Sequence, residues 1–150
     1  DRNVDNARLE WGQMTNALLS DALISGVRSV DNEHHLQVSL LAAVRRAIAE
    51  DAAQPGLEDL LNRFVDFTKL HFASEAALMR LYQYAQSDAH VREHDRTLDQ
   101  LEALRADWLA GRVKLTLDRM DRLSEWINDH IASADRAFGR YLVRLGVGPG

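Results

Sequence analysis

The chain contains no cysteine, which excludes disulfides, thiolate zinc sites and cysteine-held iron–sulfur clusters. Any transition metal it carries must be held by nitrogen and oxygen. Proline is scarce: only Pro55 and Pro149 occur in 150 residues. Of eight glycines, four lie at position 139 or beyond, so most of the chain is free of helix breakers. No apolar run approaches the roughly 18 residues that span a bilayer, which argues against membrane insertion by this segment. No secretory signal pattern opens the chain, and cytoplasm is the expected compartment. Blocks of Lys or Arg are also missing, and with a net charge of −5 nucleic acid is not an expected partner. No stretch shows the period-two alternation of an exposed strand.

What is present repeats with helical periods. Val4, Ala7, Trp11, Met14 and Leu18 alternate steps of three and four, a seam of about two heptads. It reads equally as the end of a coiled coil or as a terminal helix folded back on its domain. "SDALISG" (20–26) breaks it. A first bundle helix, over about 31–50, turns Val30, His34, Val38, Leu41 and Ile48 inward; "DAAQPG" (51–56) ends it, because Pro55 and Gly56 oppose continuation. A second, over about 57–84, aligns Leu57, Leu61, Phe64, Thr68, His71, Glu75, Leu78 and Tyr82. "AQSD" (85–88) is a turn with Ser87 or Asp88 as N-cap. A third helix presents His90, His94, Leu98, Leu101 and Trp108 before Gly111. The fourth, over about 115–145, presents Met120, Leu123, Ile127, His130, Ala134, Phe138 and Tyr141. The expected fold is all-α: an antiparallel up-down four-helix bundle with an N-terminal arm or helix. Its expected parts are a helical extension (1–18), the bundle (19–145) and a flexible tail (146–150).

Five of the six histidines sit on these inward stripes. His35 is the exception, turned roughly 100° from His34 on the helical wheel. One histidine on an apolar stripe is ordinarily a hydrogen-bonded core residue. Five over four helices are another matter, since each imidazole buried without a partner costs a few kcal/mol. A shared metal removes that cost by occupying one nitrogen of each ring, and leaves the other to donate to a carbonyl or carboxylate. His71 and Glu75 are i,i+4, as are His90 and His94. His130 and Asp135 are i,i+5, about 140° apart on a regular helix. Either they flank the inward direction from both sides or a local widening of the helix brings them closer. Glu75 and Asp135 are the carboxylates best placed to join the cluster, and each could bridge two ions. Seven donors exceed one tetrahedral zinc and suit two octahedral ions. An imidazole-rich set favours iron over magnesium or calcium, with manganese or zinc still open.

These residues also resemble a known family. "GVRSVDNEH" (26–34), "HFASEAALM" (71–79), "HVREH" (90–94) and "WINDHIASAD" (126–135) are similar, in this order, to the four ligand segments of hemerythrins, and most closely to bacterial hemerythrin-like domains. The resemblance covers about residues 19–145. It implies one iron bound by His90, His94 and His130, a second bound by His34 and His71, and bridges from Glu75, Asp135 and an oxo or hydroxo group. Dioxygen, or exogenous nitric oxide or azide, would bind at the iron with fewer imidazoles. Phe72, Trp126, Ile127 and Ile131 are candidates to line the ligand pocket; the family commonly has Leu at the Ile127 position.

The expected function is reversible dioxygen binding by a non-haem di-iron protein, as the oxygen or redox sensing domain of a larger signalling protein. The heptad seam at 1–18 would pass the change onward and could pair two copies as a homodimer. A stand-alone oxygen carrier or store is the nearest alternative. A di-iron oxidase, peroxidase or nitric-oxide reductase is the other. Oxygen-activating bundles typically place Glu-x-x-His motifs on two helices, and no such pair occurs here, so a non-enzymatic binder is expected.

Overall fold

The computed structural model describes residues 24–147, so the heptad seam, its proposed dimer contact and the end of the tail lie outside the described residues. Helix α1 (Arg28–Ala49), α2 (Gln54–Leu81) and α3 (Ser87–Leu109) are followed by a fourth rod in three parts. These are α4 (Leu117–His130), a π-helical turn (Ile131–Asp135) and α5 (Arg136–Arg144). Among the described residues there is no strand, and the rods form the expected antiparallel bundle. Helix α1 packs on α2 and α4, and α2 packs on α3.

The breaks differ in detail from those expected. Asp51 (φ 52°) and Gln83 (φ 53°) take left-handed backbone conformations and end α1 and α2. Pro55 does not keep the chain out of a helix. It sits in the first turn of α2, where its missing N–H costs nothing. Neither Ser87 nor Asp88 is the N-cap of α3; that position is Gln86, without a side-chain bond. Thr116 does cap α4, its Oγ1 accepting from the Arg119 N–H at 3.2 Å.

Two apolar clusters fill the bundle and sandwich a polar layer. The larger gathers Val38, Leu41, Val44, Leu61, Phe64, Leu101, Met120 and Ile127 with their neighbours. The smaller holds Val27, Val30, Met79, Phe138 and Leu142. Ile48 is only half-buried, and Val44 and Ala47 hold the inward line at that end of α1. Each fully buried aliphatic or aromatic side chain contributes about 1.5–3 kcal/mol, which makes the clusters the scaffold that positions everything between them.

The approach to α1 is pinned to the fourth rod. A Cβ on Gly139 would lie 2.5 Å from Ser25 Cβ and 2.8 Å from the Ser25 carbonyl oxygen, so only glycine admits this contact. Ser25 in turn donates from its backbone N–H (2.8 Å) and its hydroxyl (2.7 Å) to Asp31 Oδ1. Asp31, three residues before His34, thereby ties the incoming chain to the first turn of α1.

Candidate metal centre

Between the two clusters, all seven candidate side chains meet at one level of the bundle. His34 comes from α1, His71 and Glu75 from α2, His90 and His94 from α3, and His130 from the end of α4. Asp135 comes from the last residue of the π turn. None is more than 5% exposed, whereas His35 points to solvent. The π turn resolves the awkward i,i+5 spacing in favour of local widening. One extra residue per turn brings Asp135 back above His130, with Nε2–Oδ1 at 3.0 Å. Ala134, expected on the inward stripe, is displaced to a half-buried position because Asp135 takes that direction.

The donors divide into two groups that share both carboxylates. In the first, His94 Nε2 and His130 Nε2 are 2.9 Å apart. Asp135 Oδ1 lies 2.9 Å from His90 Nε2, and Glu75 Oε2 lies 3.3 Å from His94 Nε2 and 3.5 Å from His90 Nε2. The second group uses the opposite oxygens. Asp135 Oδ2 is 2.9 Å from His34 Nε2, while Glu75 Oε1 is 3.7 Å from His34 Nε2 and 3.8 Å from His71 Nε2. Cis donors at about 2.1 Å from an octahedral ion lie about 3 Å apart. The first group already has that spacing, and the second is somewhat wider.

The side chains also lack what a metal-free core would need. Both nitrogens of His34 and of His71, both oxygens of Glu75 and of Asp135, and His90 Nε2 are buried without a well-directed hydrogen bond. The short nitrogen–oxygen distances above are proximities of groups aimed at common points rather than at one another. Natural cores rarely leave so many polar atoms unsatisfied. The electrostatics agree. Burial opposes charge here, yet Asp135 stays well below the usual carboxylate range because the imidazoles of His130, His34 and His90 crowd its oxygens. Glu75 is also lowered, against its burial and the Asp135 charge, by the nearby imidazoles of His34 and His90. Burial would depress His34 and His90, but the neighbouring Asp135 and Glu75 carboxylates push them up to about 10 and about 9. Burial, aided by His90 and His130, holds His94 down to about 3 despite Glu75. Two buried carboxylates thus demand positive charge among them. A pair of cations fits that demand and the nitrogen–oxygen donor set.

An outer shell, not evident in the sequence, flanks the rings. Glu33 Oε2 lies 3.5 Å from His71 Nδ1, and Glu93 Oε1 lies 3.4 Å from His130 Nδ1, each one residue before another histidine of the centre. Both carboxylates stand beside these nitrogens without a well-directed hydrogen bond, close enough to accept the Nδ1–H once Nε2 is held by a metal. Phe72 stacks on His94 (centroids 3.7 Å, planes 1° apart) and Trp126 stacks on His130 (5.0 Å, 11°). Of the four candidate pocket residues, these two therefore touch the three-imidazole group, while Ile127 and Ile131 are buried in the larger apolar cluster. The outer edge of Trp126 opens on a groove of about 370 Å³ between α3 and α4, floored by Leu101 and Thr97 and rimmed by Arg119 and Arg122.

An all-helical bundle closed around a buried histidine–carboxylate centre defines a class of cation-binding protein. The chain belongs to the hemerythrin family: residues 25–142 match the model of the Hemerythrin HHE cation binding domain. Proteins of this family bind dioxygen at non-haem iron. Among curated relatives, a bacteriohemerythrin of Ralstonia nicotianae is 29% identical over 127 residues, 85% of this chain and 89% of the relative. A second bacteriohemerythrin, of Pseudomonas paraeruginosa, is 26% identical over 83% of this chain and 80% of its own length. The fold matches a solved wild-type hemerythrin with a TM-score of 0.73 at 23% identity, over 77% of this chain and 88% of that one. No helix among the described residues is long and apolar enough to cross a membrane.

Proposed function

We propose that the chain binds two iron ions and reversibly binds dioxygen, as an oxygen or redox sensing domain. One observation carries the metal assignment: each of Glu75 and Asp135 offers one oxygen to the three-imidazole group and the other to the two-imidazole group. His90, His94 and His130 would hold one iron, His34 and His71 the second, with Glu75 and Asp135 shared. When bound, iron supplies a redox-active Lewis acid of a kind that takes up dioxygen. The chain's own residues do the rest. Glu33 and Glu93, 3.5 and 3.4 Å from His71 Nδ1 and His130 Nδ1, would hold these rings in the tautomer that presents Nε2 to the metal. Phe72, Ile127 and Ile131 exclude water, being at most 5% exposed, and Trp126 shields the outer face of His130.

The sensing role rests on continuity. The heptad seam at 1–18 leads into the segment that Ser25 ties to Asp31, one turn before His34. A carrier is the second reading, favoured by size: the chain covers 89% and 80% of two bacteriohemerythrins, so a domain of this length accounts for nearly all of each. Binding rather than turnover suits a site rich in imidazole.

Iron quantitation with anaerobic optical titration tests the proposal. Two irons per chain, a charge-transfer band with azide, and a dioxygen spectrum that reverts on degassing are expected. One iron per chain, or no band, overturns the assignment. Sensing further requires that distances between labels in residues 1–18 change on oxygenation, measured by spin-label spectroscopy; unchanged distances favour the carrier.

A further inference from the structure

The layer of side chains next to the histidine centre, on the side of the larger apolar cluster, is polar where the rest of that cluster is not. In an antiparallel bundle one turn along the axis is three residues forward on α1 and α3 and three back on α2 and α4. Counted from His34, His71, His94 and His130, that step reaches Gln37, Thr68, Thr97 and Ile127, which are 2%, 0%, 6% and 3% exposed. One turn further lie Leu41, Phe64, Leu101 and Leu123, all apolar. Polarity is thus confined to a single layer. Within it, Thr97 is occupied locally, its hydroxyl donating to the Glu93 carbonyl at 3.0 Å. Gln37 is not. Its Nε2 donates to Thr68 Oγ1 at a long 3.3 Å, which is the only hydrogen bond of its side chain among the described residues. Its second amide proton has no acceptor among the described residues. A leucine would fill the same space at no such desolvation cost, so the amide sits where it weakens the core. By the same count Gln37 lies one turn from the level of His34 and His71, whose rings are 4.7 Å apart.

We infer that Gln37 is a specificity-determining residue, whose amide, steadied by Thr68, donates a hydrogen bond to a small ligand bound on the two-imidazole side. The inference rests on the di-iron reading above. The α3–α4 side of the same layer presents Ile127 and an already committed Thr97, so it has no comparable donor. The ligand class favoured is a small anion that accepts a hydrogen bond, with azide as the probe. A neutral ligand that accepts hydrogen bonds poorly, such as nitric oxide, gains little.

The test is optical titration of the iron-loaded full chain with azide and with nitric oxide, for the wild type, Gln37→Leu and Thr68→Val. A wild type without two irons or an azide band defeats the di-iron reading itself, whatever the variants do. Given that band, Gln37→Leu is expected to weaken azide about tenfold or more, as for a hydrogen bond to a charged group. Nitric oxide affinity stays within about twofold, and Thr68→Val has an intermediate effect on azide because it only loosens the amide. Equal azide affinity in Gln37→Leu, accompanied by a higher Tm, overturns the inference and leaves a merely structural pair. Side-chain amide NMR of zinc-loaded, 15N-glutamine-labelled wild type gives a second reading that needs no variant to fold. Azide should shift the Gln37 amide resonance, and an unmoved resonance overturns the inference.

Discussion

The three-imidazole group draws two rings from α3 and one from α4, whereas the two-imidazole group draws one ring each from α1 and α2. The first is tight: its imidazole nitrogens meet each other or an Asp135 oxygen at 2.9–3.0 Å, and Phe72 and Trp126 stack on its rings. The second has one protein donor fewer, and Glu75 stands 3.7–3.8 Å from its imidazoles. One turn along α1 and α2 from its histidines, the Gln37–Thr68 pair stands where the α4 side has Ile127. On the proposed di-iron reading, one side would retain an ion, and the other would retain an ion and still accept a ligand.

The largest test of this contrast removes what the two sides share. Glu75→Ala deletes one donor from each group, so iron should fall below one per chain by metal analysis. A loss confined to one ion would mean that the carboxylate does not bridge. Breaking the sides separately comes next. Glu33→Gln should weaken iron on the two-imidazole side, and Glu93→Gln on the three-imidazole side, each by about 10–100-fold in chelator competition. Gly139→Ala presses a methyl group into Ser25 and should cost about 1–3 kcal/mol in chemical denaturation. Since Ser25 anchors Asp31 just before His34, iron should leave the two-imidazole side first.

The smallest effect concerns the iron-free chain, where protons stand in for cations. His34 and His90 have folded pKa values raised to about 10 and about 9 from an ordinary 6.5. Their contribution to stability is therefore fully present below 6.5 and is lost as pH rises through 9 to 10. Glu75 and Asp135 are lowered, so their contribution is present above the usual carboxylate range and is lost as pH falls through their folded values. The Tm of iron-free protein should fall at both extremes, and iron should flatten the alkaline limb by replacing the protons. An alkaline limb as steep with iron as without would mean that the metal does not sit among these groups.

Much of this was legible in the chain. Histidines at leucine positions betray themselves by period alone, and all five inward rings reach one centre while His35 does not. The helices were legible for the same reason, although their ends were not. Pro55 reads as a stop and is instead part of a first turn, because the two roles differ only in where the next helix begins. Ser87 and Asp88 read as caps, but Gln83, in left-handed backbone, ends α2 and the next helix starts at Ser87 itself. The spacing of His130 and Asp135 allowed two arrangements, and the π turn is one of them. Glu33, Glu93 and Gln37 carried no signal, since an acid beside a histidine or one amide in an apolar stripe is common.

The kinds of donor, their number and their inward direction were determined by sequence, because helical period is a local property that each segment expresses independently. Which oxygen of Glu75 and Asp135 faces which imidazoles, and which side keeps a hydrogen-bond donor beneath it, was decided only by tertiary structure. Those relations depend on the axial register of one helix against another, set by how the two apolar clusters pack, and no single segment encodes that register.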